Sequence, residues 1–330
     1  PARPPPSRPE TCHAPRGCGR VRESLHSGRI LARGATREAL FRIGYNTNWL
    51  ADHRLLDALR LLAELGYEGV AITPDVGQLD PLEPDPRLAQ DVRRWAADLG
   101  LELAVETGAR FVLAARRKHF PTLLEDAPAL RARRADFLGR CVDLAAELGA
   151  GVVSIWSGAA PGGRVADRRE GPDGGVEPIW ERLCDGVRAL LARGRERGVQ
   201  IAFEPEPGLF VERPAGDLEL LARLGSDGDE LGLTLDVGHL LVTGDLPVEA
   251  QIRELAPRLV HVHLDDISGG DHEHRQLGTG DLDLVSTLKA LLETGYDGMA
   301  AVELSRDSHR GAWAAEQALA RILTVLRNDP

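Results

Sequence analysis

The sequence predicts an α/β protein, a (β/α)8 TIM barrel in a single domain behind a disordered N-terminal extension. Three observations predict it. A unit of short apolar strand, polar loop and helix recurs eight times from residue 41 onward. Eight such units in about 290 residues match the size of a closed parallel barrel. Along the strands, apolar residues alternate with small or polar ones, as expected where one face meets helices and the other lines a barrel axis.

The elements follow in chain order. Residues 1–40 open with Pro1-Ala2-Arg3-Pro4-Pro5-Pro6 and sustain no period, so they read as a disordered basic extension. Cys12, His13 and Cys18 fit no zinc spacing and lack a fourth ligand. This extension is read as non-native or mis-started, and the barrel as residues 41–330. Strands are expected at 41–46, 69–73, 101–106, 152–156, 200–205, 231–236, 259–264 and 299–304. Helical patterns lie near 52–65, 87–98, 130–148, 178–197, 215–224, 247–256, 282–293 and 310–327. Several helices end at a glycine, as in Leu65-Gly66, Leu99-Gly100, Leu148-Gly149 and Arg197-Gly198, which suits the left-handed position after a helix. An open doubly wound sheet would favour a Gly-rich phosphate turn after the first strand, where Asn46-Thr47-Asn48 stands instead.

Composition narrows the class. No apolar run reaches the roughly 18 residues of a membrane span, and no apolar leader is visible. Four scattered cysteines give no disulfide framework, so a cytoplasmic setting is expected. The net charge is −11, although nine Arg stand against three Glu in residues 1–42. The barrel is therefore more acidic than the total, which speaks against nucleic acid as a partner.

The inward faces carry the chemistry. In Leu231-Gly232-Leu233-Thr234-Leu235-Asp236 the leucines share one face, and Gly, Thr and Asp the other. His261, His263 and Asp265 share the inward face of strand seven. Leu259 is expected to join them as an apolar plug at the far end of the barrel. Glu204 and Glu303 end strands five and eight in the same sense. Functional residues of such barrels gather at the C-terminal strand ends. Glu204, Asp236, His263 and Glu303 fall there on four consecutive strands, and packed carboxylates repel without a cation. Mixed Glu/Asp/His donors suit one divalent ion, Mn2+, Co2+, Mg2+ or Zn2+. Asn46 and Asn48 stand where they can meet substrate hydroxyls, or form a plain Asx turn. Glu106 is a candidate substrate contact or a brace for a neighbour. Trp156 is a candidate pocket floor and Glu206 a substrate contact, while Arg275 and Arg306 are candidates for an anionic group. The loop 107–129 is longer than a connection needs and reads as a lid or an insertion.

Phe203-Glu204-Pro205, Leu235-Asp236-Val237-Gly238-His239, Val262-His263-Leu264-Asp265-Asp266, His274-Arg275-Gln276-Leu277-Gly278-Thr279-Gly280-Asp281 and Val302-Glu303-Leu304 occur in that order. In this the chain resembles the xylose isomerase-like barrels of the sugar phosphate isomerase/epimerase superfamily, which also includes endonuclease IV-type enzymes. The resemblance covers roughly residues 41–328. It implies a shared metal site at Glu204, Asp236, His263 and Glu303, with Glu204 and Glu303 also transferring protons. It places His239 on the substrate, or on a second ion with His272 and His274. The activity implied is a metal-dependent isomerase or epimerase of a sugar, sugar phosphate or related polyol, working through a metal-bound enediolate. A dehydratase or lyase on the same scaffold is the alternative. An endonuclease IV-like phosphodiesterase ranks lower, because that branch needs histidines on early strands, and neither Thr73-Pro74-Asp75 of strand two nor Ser154-Ile155-Trp156 of strand four supplies one. The expected partner is a small carbohydrate-like molecule, with no membrane and with a homo-oligomer left open.

Overall fold

The computed structural model describes residues 41–108, 110–166, 175–304 and 308–328. The extension expected at residues 1–40 lies outside them. Eight parallel strands close in sequence order, β1 to β8, and β8 pairs back onto β1. They are β1 Arg42–Asn46, β2 Gly69–Ile72, β3 Glu102–Glu106, β4 Val152–Ile155, β5 Gln200–Phe203, β6 Gly232–Asp236, β7 Leu259–Leu264 and β8 Met299–Val302. The helices around them are α1 Leu55–Leu65, α2 Pro86–Leu99, α3 Pro128–Leu148, α4 Glu177–Arg197 and α5 Pro214–Leu224. They continue with α6 Val237–Thr243, α7 Val248–Leu255, α8 Leu284–Glu293 and α9 Gly311–Asn328. Among the described residues no helix is long and apolar enough to cross a membrane.

Local chemistry sets the helix boundaries. Asp85 caps α2, its Oδ1 accepting from Arg87 N at 2.9 Å, and Pro86 occupies the first turn without needing its missing N–H. Gly100 ends that helix at φ +70°, a region where a side chain is strained. The outward strand residues, such as Val70, Val153, Leu235 and Val262, join the helices in one large apolar cluster. The expected strand and helix positions differ from the observed bounds by no more than three residues. The exception is α6, which the sequence pattern does not separate from β6.

The barrel axis is filled in layers. At the bottom lie Ala71, Ala104, Met299 and Ala301, with Val152 against them. Met299 is the plug. Its side chain crosses to β1 and β2, where a Cβ on Gly44 would stand 2.5 Å from its Sδ and one on Gly69 2.6 Å from its Cε. Leu259, expected to fill this place, belongs to the outer cluster instead. The β6–β7 register shifts between Leu233 and Thr234, so Leu259 is level with outward Leu233 while His261 is level with Thr234. Above the plug, Ser154 Oγ donates to Thr234 Oγ1 at 2.9 Å, tying β4 to β6. The same register shift sets His263 level with Asp236.

Candidate metal centre

Glu204, Asp236, His263 and Glu303 each stand within one residue of the C-terminal ends of β5 to β8. Glu204 N donates to Ile155 O at 2.8 Å and Glu303 N to Leu264 O at 3.0 Å, so both glutamates leave their strands still held by the neighbouring strand. Asp236 caps α6, its Oδ1 accepting from His239 N at 2.9 Å. Its Oδ2 has no hydrogen bond and is buried. One ligand atom from each of Glu204, Asp236, His263 and Glu303 lies within 4.8 Å of the others. His263 Nδ1 stands 3.1 Å from Glu204 Oε1, 2.9 Å from Glu303 Oε2 and 3.6 Å from Asp236 Oδ2.

This donor set fits a divalent cation. Three carboxylates converge in a buried place, and an oxygen of one of them is orphaned there. Burial would lower the pKa of His263, but Glu303, Glu204 and Glu106 outweigh it and hold the imidazole well above its ordinary value. The acids thus draw a proton onto the only ring among them. Burial pushes Glu204 well above the usual carboxylate range. For Glu303 the same burial is outweighed by His263, which holds that carboxyl low.

Below the cluster, Glu106 Oε1 stands 3.1 Å from His263 Nε2 and 3.1 Å from His261 Nε2. Burial would raise Glu106, but His263 and His261 bring it down to about 2. Glu106 borders the cavity, yet this oxygen faces the histidines. A carboxylate on one ring nitrogen leaves the other nitrogen's lone pair for a metal. Asn48 Nδ2 donates to Glu303 Oε1 at 3.3 Å from the β1 side.

A second group lies beside the first. His239, His272 and His274 each offer a nitrogen within 4.8 Å of the others. His239 Nδ1 is 3.1 Å from Pro205 O, an acceptor only, so Nδ1 carries the proton and Nε2 is a lone pair. That Nε2 has no hydrogen bond. Burial pushes His239 down to about 4, leaving it neutral. His274 Nδ1 pairs with Asp265 Oδ2 at 2.8 Å, and Asp265 Oδ1 accepts from Gly238 N at 3.0 Å.

A cavity of about 440 Å3 opens over both groups. Its walls include Asn46, Trp156, Glu206, His239, His272 and His274. Asn46 Oδ1 accepts from Thr73 Oγ1 at 2.9 Å and from Asn48 N at 3.3 Å, the Asx-turn alternative. Burial pushes the Glu206 carboxyl up to about 7. Arg275, expected to hold an anionic group of the substrate, does not line the cavity. Its backbone pairs with Asp266, which turns the side chain toward Glu273 at 3.5 Å. Arg306 lies outside the described residues. Sequence reasoning missed Trp49, Arg110, Lys118 and His119, which also line the cavity. Three of them come from the loop 107–129, whose Arg116-Arg117-Lys118-His119 run was the available signal in an acidic chain.

The family model for the xylose isomerase-like TIM barrel matches residues 59–328. The chain belongs to that family. Among curated relatives of this xylose isomerase-like barrel, an inosose dehydratase of Lacticaseibacillus casei is 30% identical over 145 residues, 39% of this chain and 48% of that protein. A 3-dehydroshikimate dehydratase of Pseudomonas aeruginosa is 30% identical over 270 residues, 78% of this chain and 37% of that protein. The chain spans less than half the length of these relatives. A solved D-tagatose 3-epimerase-like protein superposes with a TM-score of 0.69 at 20% identity, covering 87% of this chain and 98% of its own. That likeness is one of fold.

Proposed function

We propose that this xylose isomerase-like barrel is a divalent-metal-dependent isomerase or epimerase of a sugar, sugar phosphate or related polyol. The observation that carries the reading is the convergence of Glu204, Asp236, His263 and Glu303 beneath one cavity. These four residues would hold the ion. When bound there, a divalent ion polarises a substrate carbonyl and acidifies the neighbouring C–H.

The chain's own residues do the rest. Glu204 and Glu303 are the proton carriers: one carboxylate removes the proton beside the carbonyl and the other returns one. Return to the same carbon from the opposite face is epimerisation, and return to the adjacent carbon is isomerisation. Asn48 steers Glu303 by its hydrogen bond to Oε1. Glu106 fixes the ring of His263 through Nε2. Trp156, 7% exposed, walls the cavity, and the loop 107–129 brings Arg110, Lys118 and His119 to its mouth.

A second reading is dehydration, favoured by the names of the two curated relatives. It shares the first step. The proton then goes to a departing β-hydroxyl, and Glu206, whose carboxyl burial pushes up to about 7, faces the cavity as the candidate to deliver it.

One experiment separates these. A panel of ketoses and polyhydroxy ketones is incubated in D2O with protein and Mn2+, and the products are weighed by mass spectrometry. Isomerase or epimerase action gives deuterium uptake with all oxygens retained, whereas dehydration gives a product lighter by one water. Glu303→Gln lowers the rate by about 10²–10⁴-fold. A protein that binds no divalent ion and exchanges deuterium into no member of the panel sinks the proposal.

A further inference from the structure

The acids occupy one side of the cavity, and the segment from β3 to α3 builds the other. That side is cationic. Arg110 and Lys118 line it together with His119. Arg134 of α3 stands behind Trp156, with Cζ 4.4 Å from the ring centroid. Arg134 is 1% exposed. Its Nη2 donates to Thr107 O at 3.2 Å, while its Nη1 has no hydrogen bond. No carboxylate pairs with Arg134 or with Lys118 among the described residues. Arg110 is partly engaged, its Nε 3.6 Å from Asp75 Oδ2 and its Nη2 donating to Asn48 O at 3.2 Å.

A buried guanidinium without a counter-charge is costly, and stacking on Trp156 and Phe137 offsets only part of that cost. His119 reports how closely the charges converge. Burial, then Lys118, Arg134 and Arg110, push its pKa down to about 3, so it adds no charge of its own. It packs edge-on against Trp156, ring centroids 5.2 Å apart. Arg134 and His119 thus meet the same Trp156 ring, and Arg110, Lys118 and His119 line the cavity that the acids also line. A neutral polyol would leave Arg134 and Lys118 without a paired carboxylate.

Resting on the ketose site proposed above, we propose that the substrate is an anion. Its carbonyl end meets the acidic cluster and its carboxylate or phosphate meets Lys118 and Arg110, with Arg134 adding its field from behind Trp156. Carboxylate and phosphate share the chemistry that this wall recognises, namely several charge-assisted donors around an oxyanion.

The test uses matched pairs in which one member carries the anionic group and the other does not: D-ribulose 5-phosphate with D-ribulose, and 3-dehydroshikimate with its methyl ester. Binding to the full chain is measured by isothermal titration with saturating Mn2+. The charged member of at least one pair is expected to bind about tenfold or more tighter than its neutral partner. The pair that shows the gap identifies the anion. The gap shrinks in Lys118→Gln and Arg110→Gln, and shrinks as salt screens the exposed Lys118. Equal binding within both pairs overturns the anion inference and leaves the ketose-site reading standing. A gap that persists undiminished in both variants also overturns it. Failure of all four molecules to bind overturns both.

Discussion

Removing the Glu106 carboxylate tests how the candidate metal centre is organised. Its Oε1 lies 3.1 Å from Nε2 of both His261 and His263. An ion held there would displace the proton that the acids draw onto His263; Glu106 would then keep the remaining ring proton on Nε2 and turn the Nδ1 lone pair toward Glu204, Asp236 and Glu303. In Glu106→Ala the two tautomers become close in energy, and the ring loses its anchor at the far nitrogen. Loss of such a supporting carboxylate costs about 10–100-fold in metal affinity, or roughly 1.4–2.7 kcal/mol. Glu106→Gln keeps an acceptor without the charge, so its loss is smaller. The assay is competition for Mn2+ and Zn2+ against a chelating dye. Nitrogen-15 spectra of histidine-labelled protein read the tautomer independently of affinity. A folded Glu106→Ala protein with unchanged metal affinity and an unchanged His263 tautomer refutes the reasoning.

Three further outcomes follow from the structure. Mn2+ at about 100 times its dissociation constant adds about 2.7 kcal/mol of stability, raising the melting temperature by roughly 4–5 °C; no shift in calorimetry counts against the ion. Arg258 pairs with the fully buried Asp217, whose pKa burial already raises, so Arg258→Met strands a carboxyl and destabilises by about 3–5 kcal/mol in urea titrations. A loss below about 1 kcal/mol contradicts that account. The Cys141 thiol, buried and pushed up to about 12 by that burial, resists iodoacetamide at pH 8 until the protein is denatured; rapid labelling mapped to Cys141 in the native protein speaks against the packing around it.

The barrel is legible because its two periods are clean. Strand residues alternate, as in β7 with Val260, Val262 and Leu264 against His261 and His263, and glycines mark several helix ends. The ends of β5 to β8 are legible for the same reason, since alternation sends Glu204, Asp236, His263 and Glu303 to one face. What escaped depends on geometry that no local pattern encodes. Helix α6 is invisible because Val237-Gly238-His239-Leu240-Leu241-Val242 continues the apolar run of β6 without a break, and Asp236 serves as both strand end and helix cap. The exchange of Leu259 for Met299 at the barrel floor follows from one register shift between β6 and β7. Arg275 sits beside a cluster residue in sequence, yet a two-residue bridge to Asp266 turns it away. The cationic wall draws Arg110 and Lys118 from a loop and Arg134 from a helix surface, three places with no common spacing.

The fit of Met299 into the notch left by Gly44 and Gly69 also bears on how the chain is assembled. The residue belongs to the last strand, and its seat belongs to the first two. During synthesis the seat is made early and waits, empty, for nearly the whole barrel to follow. A chain interrupted before residue 299 leaves β1 and β7 as unpaired margins, each able to recruit a foreign strand. The ring is therefore sealed by its final stave, and truncated products of this chain are expected to aggregate, not to persist as smaller folded proteins.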